Sequence, residues 1–299
     1  MVAILPSPSP AIARPFLKWA GGKGRLLLQY EAFFPKAFDT YYEPFLGGGA
    51  VFFHLAERGQ RAILGDINPE LVNVYRCVRD YPRELTQRLQ QHQVHHSSTY
   101  YYQVRQQRHL TQPVERAARL IYLNKTCYNG LYRENAQGYF NVPLGRYKNP
   151  TICDGALLQA AANALQRTEI GVFSFEAILE WPLTPRDFVY FDPPYHPISP
   201  TSRFTSYNRY GFSAQDQERL AGVFQKLAQR RVPVMLSNSD CPLIRELYQG
   251  FHLHPIQAPR AINSQADRRG KITELLITSY LPGSAPGLSR DSDREDAPL

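Results

Sequence analysis

The segment from residue 41 to residue 66 limits the fold more than any other. Tyr41-Tyr42-Glu43-Pro44-Phe45 reads as a short strand running into Gly47, Gly48 and Gly49. Residues 50–58 then read as a helix with Gly59 as its stop, and Ala62-Ile63-Leu64-Gly65-Asp66 follows as a second buried strand. Strand, glycine turn, helix and strand form a βαβ unit, whose crossover makes the two strands parallel. Further strands are expected at 170–175, 188–191, 232–236, 252–257 and 274–280. Their spacing predicts an α/β fold, a doubly wound, mostly parallel sheet with helices on both faces.

The stretch 69–156 breaks that rhythm. It lacks strand patterns, is helical or irregular, and carries three adjacent tyrosines at 100–102. It holds 12 Lys and Arg against 6 Asp and Glu, which accounts for +6 of the chain's net charge of +8. A basic, aromatic insert in an α/β scaffold has the composition of a nucleic-acid reader, although a solvated helical subdomain has it too. His92, His95 and His96 hint at metal spacing, but no nearby cysteine or carboxylate completes a tetrahedral site. A solvated helix face accounts for them, and no metal is expected. The four cysteines form no C-x-x-C pair and fit reduced thiols in a cytoplasm. No apolar run suits a signal peptide or a membrane span, so a soluble cytoplasmic protein is expected. Residues 1–14 and 283–299 read as disordered tails.

Three segments carry chemistry. In Phe191-Asp192-Pro193-Pro194-Tyr195 a carboxylate stands at the end of a strand, where open α/β sheets bind ligands. The prolines lack backbone donors and fix φ, so their carbonyls can face a pocket. Such groups suit an aromatic amine. The Asp192 carboxylate and the Pro193 carbonyl accept its two hydrogens, and Tyr195 stacks on the ring. Holding both hydrogens turns the nitrogen lone pair out of conjugation and towards an electrophile. Asp-Pro also marks ordinary strand-ending turns. In Glu43-Pro44-Phe45-Leu46-Gly47-Gly48-Gly49 the glycines admit a ligand to the backbone, yet G-x-G-x-x-G fails because its sixth position is Phe52. Asp66, about 20 residues on, is placed to bind ribose hydroxyls, so a nucleoside cofactor is expected. Lys18-Trp19-Ala20-Gly21-Gly22-Lys23 reads as a loop or helix start, with Lys23 a partner for a carboxylate, or as a structural element.

Taken together, these motifs resemble those of the Dam-type, D12-class DNA adenine methyltransferases, which run in the order cofactor, target reader, catalysis. Residues 18–23 resemble their N-terminal motif, 43–49 their Gly-rich motif, Gly65-Asp66-Ile67-Asn68 their second acidic motif and 192–195 their catalytic D-P-P-Y. Within the insert, Leu123-Asn124-Lys125-Thr126-Cys127-Tyr128-Asn129-Gly130-Leu131-Tyr132-Arg133 matches as well, continuing through 138–143 to Gly145-Arg146-Tyr147. The resemblance spans residues 14–282. It implies a methyltransferase fold in which 15–68 and 157–282 form the catalytic domain and 69–156 the target-recognition insert. It also implies S-adenosylmethionine as cofactor, held by Trp19, Lys23, Glu43, Phe45, Gly47, Gly49, Asp66 and Asp192. Asp192, Pro193, Pro194 and Tyr195 would be catalytic.

The implied reaction methylates the exocyclic amine of a flipped adenine in double-stranded DNA, at GATC, by direct in-line transfer without metal. Lys125, Tyr128, Asn129, Leu131, Arg133 and Arg146 would contact DNA. The Arg133 guanidinium fits the O6/N7 edge of guanine in two bonds, or a phosphate. Arg268, Arg269 and Lys271 suit phosphates, and residues 200–212, with Phe204, Tyr207 and Tyr210, are either a mobile loop over the base or an ordinary surface loop. The implied protein is cytoplasmic and nucleoid-associated, a monomer or a dimer on DNA, alone or paired with a restriction nuclease. Competing readings are methylation of RNA adenine, cytosine or protein glutamine, a nicotinamide-dependent oxidoreductase, and a non-catalytic DNA binder. Asp192 and the basic insert favour adenine in DNA.

Overall fold

A computed structural model describes residues 11–198, 211–259 and 271–283. In chain order the strands are β1 (Thr40–Glu43), β2 (Arg61–Asp66), β3 (Thr168–Val172), β4 (Phe188–Phe191), β5 (Val234–Ser239), β6 (His252–Pro259) and β7 (Lys271–Thr278). The helices are α1 (Leu27–Tyr30), α2 (Ala50–Ala56), α3 (Pro69–Asp80), α4 (Pro82–His95), α5 (Ser98–Gln106), α6 (Pro113–Thr126), α7 (Gly155–Leu165), α8 (Ala214–Gln229) and α9 (Pro242–Leu247). Within each unit the strands pair in parallel, except with β7, and the fold is of the expected α/β class. The chain divides into two compact units. One contains the residues up to Arg25 and Pro44–Ser174; the other contains Leu26–Glu43, Phe175–Ile198 and the chain from Phe212 onward.

In the first unit β2 and β3 run parallel, with Gly65 opposite Gly171. A methyl group on Gly65 would collide with the ring of Phe173, which lies across both glycines. The helices α3 to α6 follow from the expected strand-free stretch. Asn68 begins α3 by accepting hydrogen bonds from the N–H groups of Glu70 and Leu71, and Pro69 suits the first helical position. Leu71, Val74, Tyr75 and Val78 then line the buried face of α3, at helical spacing. Leu85 and Leu89 of α4, Tyr101 and Val104 of α5, and Ala117 and Ile121 of α6 complete this helical core.

In the second unit β4 lies between β1 and β5, parallel to both, with Tyr41 opposite Phe188 and Phe191 opposite Leu236. All four residues of β4 are buried, as a strand flanked on both sides requires. Strand β7 runs antiparallel to both β5 and β6 and places Glu274 opposite Ser239. Helix α8 starts at a capping box, with Ser213 and Asp216 each satisfying the other's backbone N–H.

Several elements differ from the sequence expectation. The strand expected at 170–175 ends at Val172, and Phe175 opens a short 3-10 turn instead. The strand expected at 232–236 is displaced to Val234–Ser239 and runs on through three polar residues, all buried, because each is hydrogen-bonded inside the protein. Most of the histidine group is not a solvated face. His92 and His96 are half-buried, His92 bonds the Tyr100 hydroxyl at 2.8 Å and His96 that of Tyr122 at 2.9 Å, while His95 stays exposed. The tyrosines that α5 and α6 bring against α4 enclose these rings. The tail residues 1–10 and 284–299, and residues 199–210 and 260–270, lie outside the described residues. No described helix is long and apolar enough to cross a membrane, and the described residues hold no group of three or more His, Cys, Asp or Glu suited to a metal ion.

Burial, with His95 and Arg88 nearby, lowers the His92 pKa from 6.5 to about 4. The unfolded chain therefore binds the proton more readily, and the stability that neutral His92 supports above pH 6.5 is lost as pH falls towards 4. His92→Phe should lose less in thermal melts between pH 7 and pH 5, by on the order of 2 °C. Equal losses in the two proteins would contradict this.

Candidate active site

In the first unit the glycine turn is shaped by what lies on it. Gly47 and Gly49 take left-handed backbone angles, φ 47° and 67°, which favour glycine. A Cβ on Gly47 would lie 3.0 Å from the Trp19 indole, and one on Gly48 would lie 3.2 Å from the Trp19 Cβ. The Trp19 ring also packs against Tyr132, with ring centroids 5.5 Å apart. The N–H of Gly47 donates to Asp66 Oδ2 at 3.1 Å and that of Asn68 to Oδ1 at 2.9 Å. The Tyr75 hydroxyl donates to the Gly47 carbonyl at 3.0 Å. Burial raises the Asp66 carboxyl to a pKa of about 6 despite backbone donors from Asn68, Gly47 and Ile67. Lys23 is buried, its ammonium donating to the Gly21 carbonyl at 2.7 Å, and Phe45 is half-buried. An indole, a carboxyl fixed beside an open-backbone turn and a buried ammonium match the base, hydroxyls and carboxylate of a nucleoside carrying an amino-acid tail. The residues fit S-adenosylmethionine.

In the second unit the D-P-P-Y segment leaves the end of β4 and is held by neighbouring elements. Ser237 Oγ on β5 donates to Asp192 Oδ1 at 2.8 Å and bonds the Tyr190 hydroxyl at 2.8 Å. Gln217 Nε2 on α8 donates to the Pro194 carbonyl at 2.9 Å and its Oε1 accepts from Asn238 Nδ2. Asn238 Oδ1 accepts from the His196 N–H at 3.2 Å, and Ser239 Oγ donates to the His196 carbonyl at 2.7 Å. The Tyr195 hydroxyl donates to Glu274 Oε2 on β7 at 2.8 Å. Of the two proline carbonyls expected to face a pocket, that of Pro194 instead bonds inward. The Pro193 carbonyl takes no hydrogen bond from the described residues. Glu43, buried at the end of β1, accepts from the Tyr41 hydroxyl at 2.9 Å. Burial, with the negative charge of Asp192 contributing, pushes the phenols of Tyr30, Tyr41, Tyr190 and Tyr195 well above their usual range, so they stay protonated.

The expected DNA contacts fall into two kinds. Tyr128, Asn129 and Leu131 lie exposed on one turn where Asn129 has φ 54°, and Arg146 is also exposed. Lys125 is half-buried, with its pKa lowered by burial and by Lys18. Arg133 Nε donates to Asn141 Oδ1 at 2.6 Å across the loop that follows the turn. Asn124, buried at the end of α6, bolts this turn to the N-terminal motif. It accepts from the Lys18 N–H at 2.8 Å and donates to the carbonyls of Lys18 at 2.7 Å and Gly130 at 3.1 Å. Residues 200–210, Arg268 and Arg269 lie outside the described residues, and of Lys271 only the backbone is described.

Sequence reasoning missed Ser237, Asn238, Ser239, Gln217 and Glu274. The Val-Met-Leu-Ser-Asn-Ser run of β5 carried a signal, since three polar residues ending an apolar strand call for buried partners. Gln217 and Glu274 carried none.

A family model described as D12 class N6 adenine-specific DNA methyltransferase matches residues 19–262. The type II methyltransferase M1.LlaDCHI of Lactococcus lactis subsp. cremoris is 45% identical over 274 residues, covering 89% of this chain and 95% of that protein. The type II methyltransferase M.MjaIII of Methanocaldococcus jannaschii is 42% identical over 287 residues, covering 89% and 99%. The DNA adenine methylase of Escherichia coli K12 is 38% identical over 275 residues, covering 90% and 96%.

The raised Asp66 pKa yields a binding prediction. The carboxylate is a stronger acceptor for ribose hydroxyls than its protonated form, so with Asp66 in the expected ribose-binding role affinity for S-adenosylmethionine should fall as pH drops below about 6. Calorimetric titration between pH 5 and 7.5 checks this. Asp66→Asn should bind weakly and without that pH step, and a flat profile in the unaltered protein would refute the assignment.

Proposed function

The chain belongs to the D12 class of N6 adenine-specific DNA methyltransferases, and from that premise we propose that it methylates a flipped adenine within GATC in double-stranded DNA by direct in-line transfer. It is an enzyme whose methyl donor is S-adenosylmethionine. The observation that supports the chemical step most is the held D-P-P-Y segment, with Asp192 oriented by Ser237 and the Pro193 carbonyl left as an acceptor.

On this reading the adenine amino group donates one hydrogen to Asp192 and the other to the Pro193 carbonyl, while Tyr195 stacks on the ring. The two acceptors localise the nitrogen lone pair, so part of the barrier is met by positioning. Pro194 contributes by fixing the backbone between them. Bound S-adenosylmethionine supplies an electrophilic methyl group. Trp19, Lys23, Glu43, Phe45, Gly47, Gly49, Asp66 and Asp192 hold it, with Asp66 taking the ribose hydroxyls and Lys23 the carboxylate. The labour divides between a catalytic part, residues 15–68 and 157–282, and a reader, residues 69–156. Tyr128, Asn129 and Leu131 meet the DNA from their exposed turn, Arg133 reads a guanine edge, and Lys125 and Arg146 complete the contact. Resemblance in the motifs at 123–133 and 138–147 supports GATC as the target. On this reading the protein acts in the cytoplasm at the nucleoid.

The deciding experiment supplies labelled S-adenosylmethionine and duplex DNA lacking adenine methylation, then identifies the modified nucleoside and maps its sites. Methyladenine at GATC is expected; methyladenine elsewhere would replace the site and keep the chemistry. Asp192→Ala should lower the rate by about a thousandfold or more with the fold intact, and a near-normal rate would remove Asp192 from the mechanism. Arg133→Ala should relax sequence preference more than it weakens non-specific binding. Equal loss on all sequences would assign it to phosphate instead.

A further inference from the structure

The Tyr195 ring carries the base-stacking role, yet nothing in its own segment fixes which way that ring points. Tyr195 lies between Pro194 and His196 in a stretch without helix or strand. The bonds from Gln217 to the Pro194 carbonyl, and from Asn238 and Ser239 to the His196 backbone, locate the chain on either side of it. They leave rotation about the Cα–Cβ bond to be settled by the side chain, and a tyrosine ring swings by several ångströms between rotamers. The far end of the ring meets Glu274, whose Oε2 lies 2.8 Å from the hydroxyl, in a cluster that Ser237 and Tyr30 also join. Glu274 comes near the start of β7, and only the antiparallel direction of that strand brings it to the sheet edge where β4 and β5 end.

We propose that Glu274 is a positioning residue for methyl transfer, its carboxylate holding the Tyr195 hydroxyl and thereby the stacking face presented to the target base. The inference rests on the role given to Tyr195 above. The phenol donates to the Glu274 Oε2, and O–H to carboxylate bonds are short and strong. Burial keeps the Tyr195 proton in place far above neutral pH, so the donor persists under any working condition. Burial, then Asp192 and then this carboxylate raise the pKa of Tyr30, which places Glu274 within the electrostatic reach of this cluster.

The test is a double-mutant cycle on the full chain, read as kcat and KM for methyl transfer into unmethylated duplex DNA. Glu274→Met keeps an unbranched side chain of similar length and removes the acceptor; Tyr195→Phe keeps the ring and removes the donor. Each should lower kcat about tenfold with KM for S-adenosylmethionine unchanged, and the double variant should be no slower than either single one. Glu274→Gln, which can still accept, should recover most of the rate. Losses that multiply in the double variant, or a Gln variant no better than Met, would overturn the assignment. Should Glu274→Met fail to fold, Tyr195→Phe breaks the same bond from the other side, and a normal kcat there overturns the proposal by itself. If the unaltered chain transfers no methyl group to DNA adenine, both this inference and the function it rests on fall. Transfer with multiplied losses removes this inference alone.

Discussion

Asp192 ends a wholly buried strand yet is itself only half-buried, and the unit around it is arranged to fix the direction of that carboxylate. The polar side chains that surround it are buried and must themselves be bonded, since an unsatisfied polar group there costs about 1–3 kcal/mol. Strand β5 meets the need by ending in three polar residues where an apolar strand would be expected. Ser237 faces Asp192, Asn238 and Ser239 face the His196 backbone, and Gln217 joins Asn238 to the Pro194 carbonyl. Such a network is favourable when every member is bonded and costly when one is missing. The side chains that hold the segment are therefore as fully determined as the segment itself.

The other unit uses steric fit in place of a buried polar network. Trp19 lies so close to Gly47 and Gly48 that a side chain on either would displace it. Gly130 would collide with Lys18 if it carried a Cβ, because Asn124 draws the Lys18 backbone and the 128–131 turn together. Two motifs separated by about a hundred residues in sequence thus share one buried amide side chain. Tyr132, the residue after the exposed turn, packs on Trp19. Elements assigned to cofactor and to target are in direct contact within this unit.

Much of the fold was legible locally. The strands at 40–43, 61–66, 188–191 and 252–259 lie where apolar and β-branched or aromatic runs put them, and helix α2 lies between the glycines that bound it. Strand β5 was displaced because propensity favours its apolar start and does not register polar residues that the tertiary fold satisfies. The histidines at 92 and 96 read as solvated because neighbours on α5 and α6 cannot be assigned from spacing along α4 alone. Lys125 stood among surface contacts in the motif, yet its position at the end of α6 half-buries it.

The sequence by itself determined the α/β class, the glycine turn with its acidic partner, the order of the motifs and the groups available at the end of β4. Those features depend on backbone preference and residue chemistry within a few positions, which a one-dimensional pattern records. The tertiary structure alone decided which distant groups complete them. Ser237 reaches Asp192 because β5 lies parallel beside β4, and Glu274 reaches Tyr195 because β7 runs the other way. A hydrogen bond needs its partners within about 3 Å and correctly aimed, so strand order, direction and register choose them.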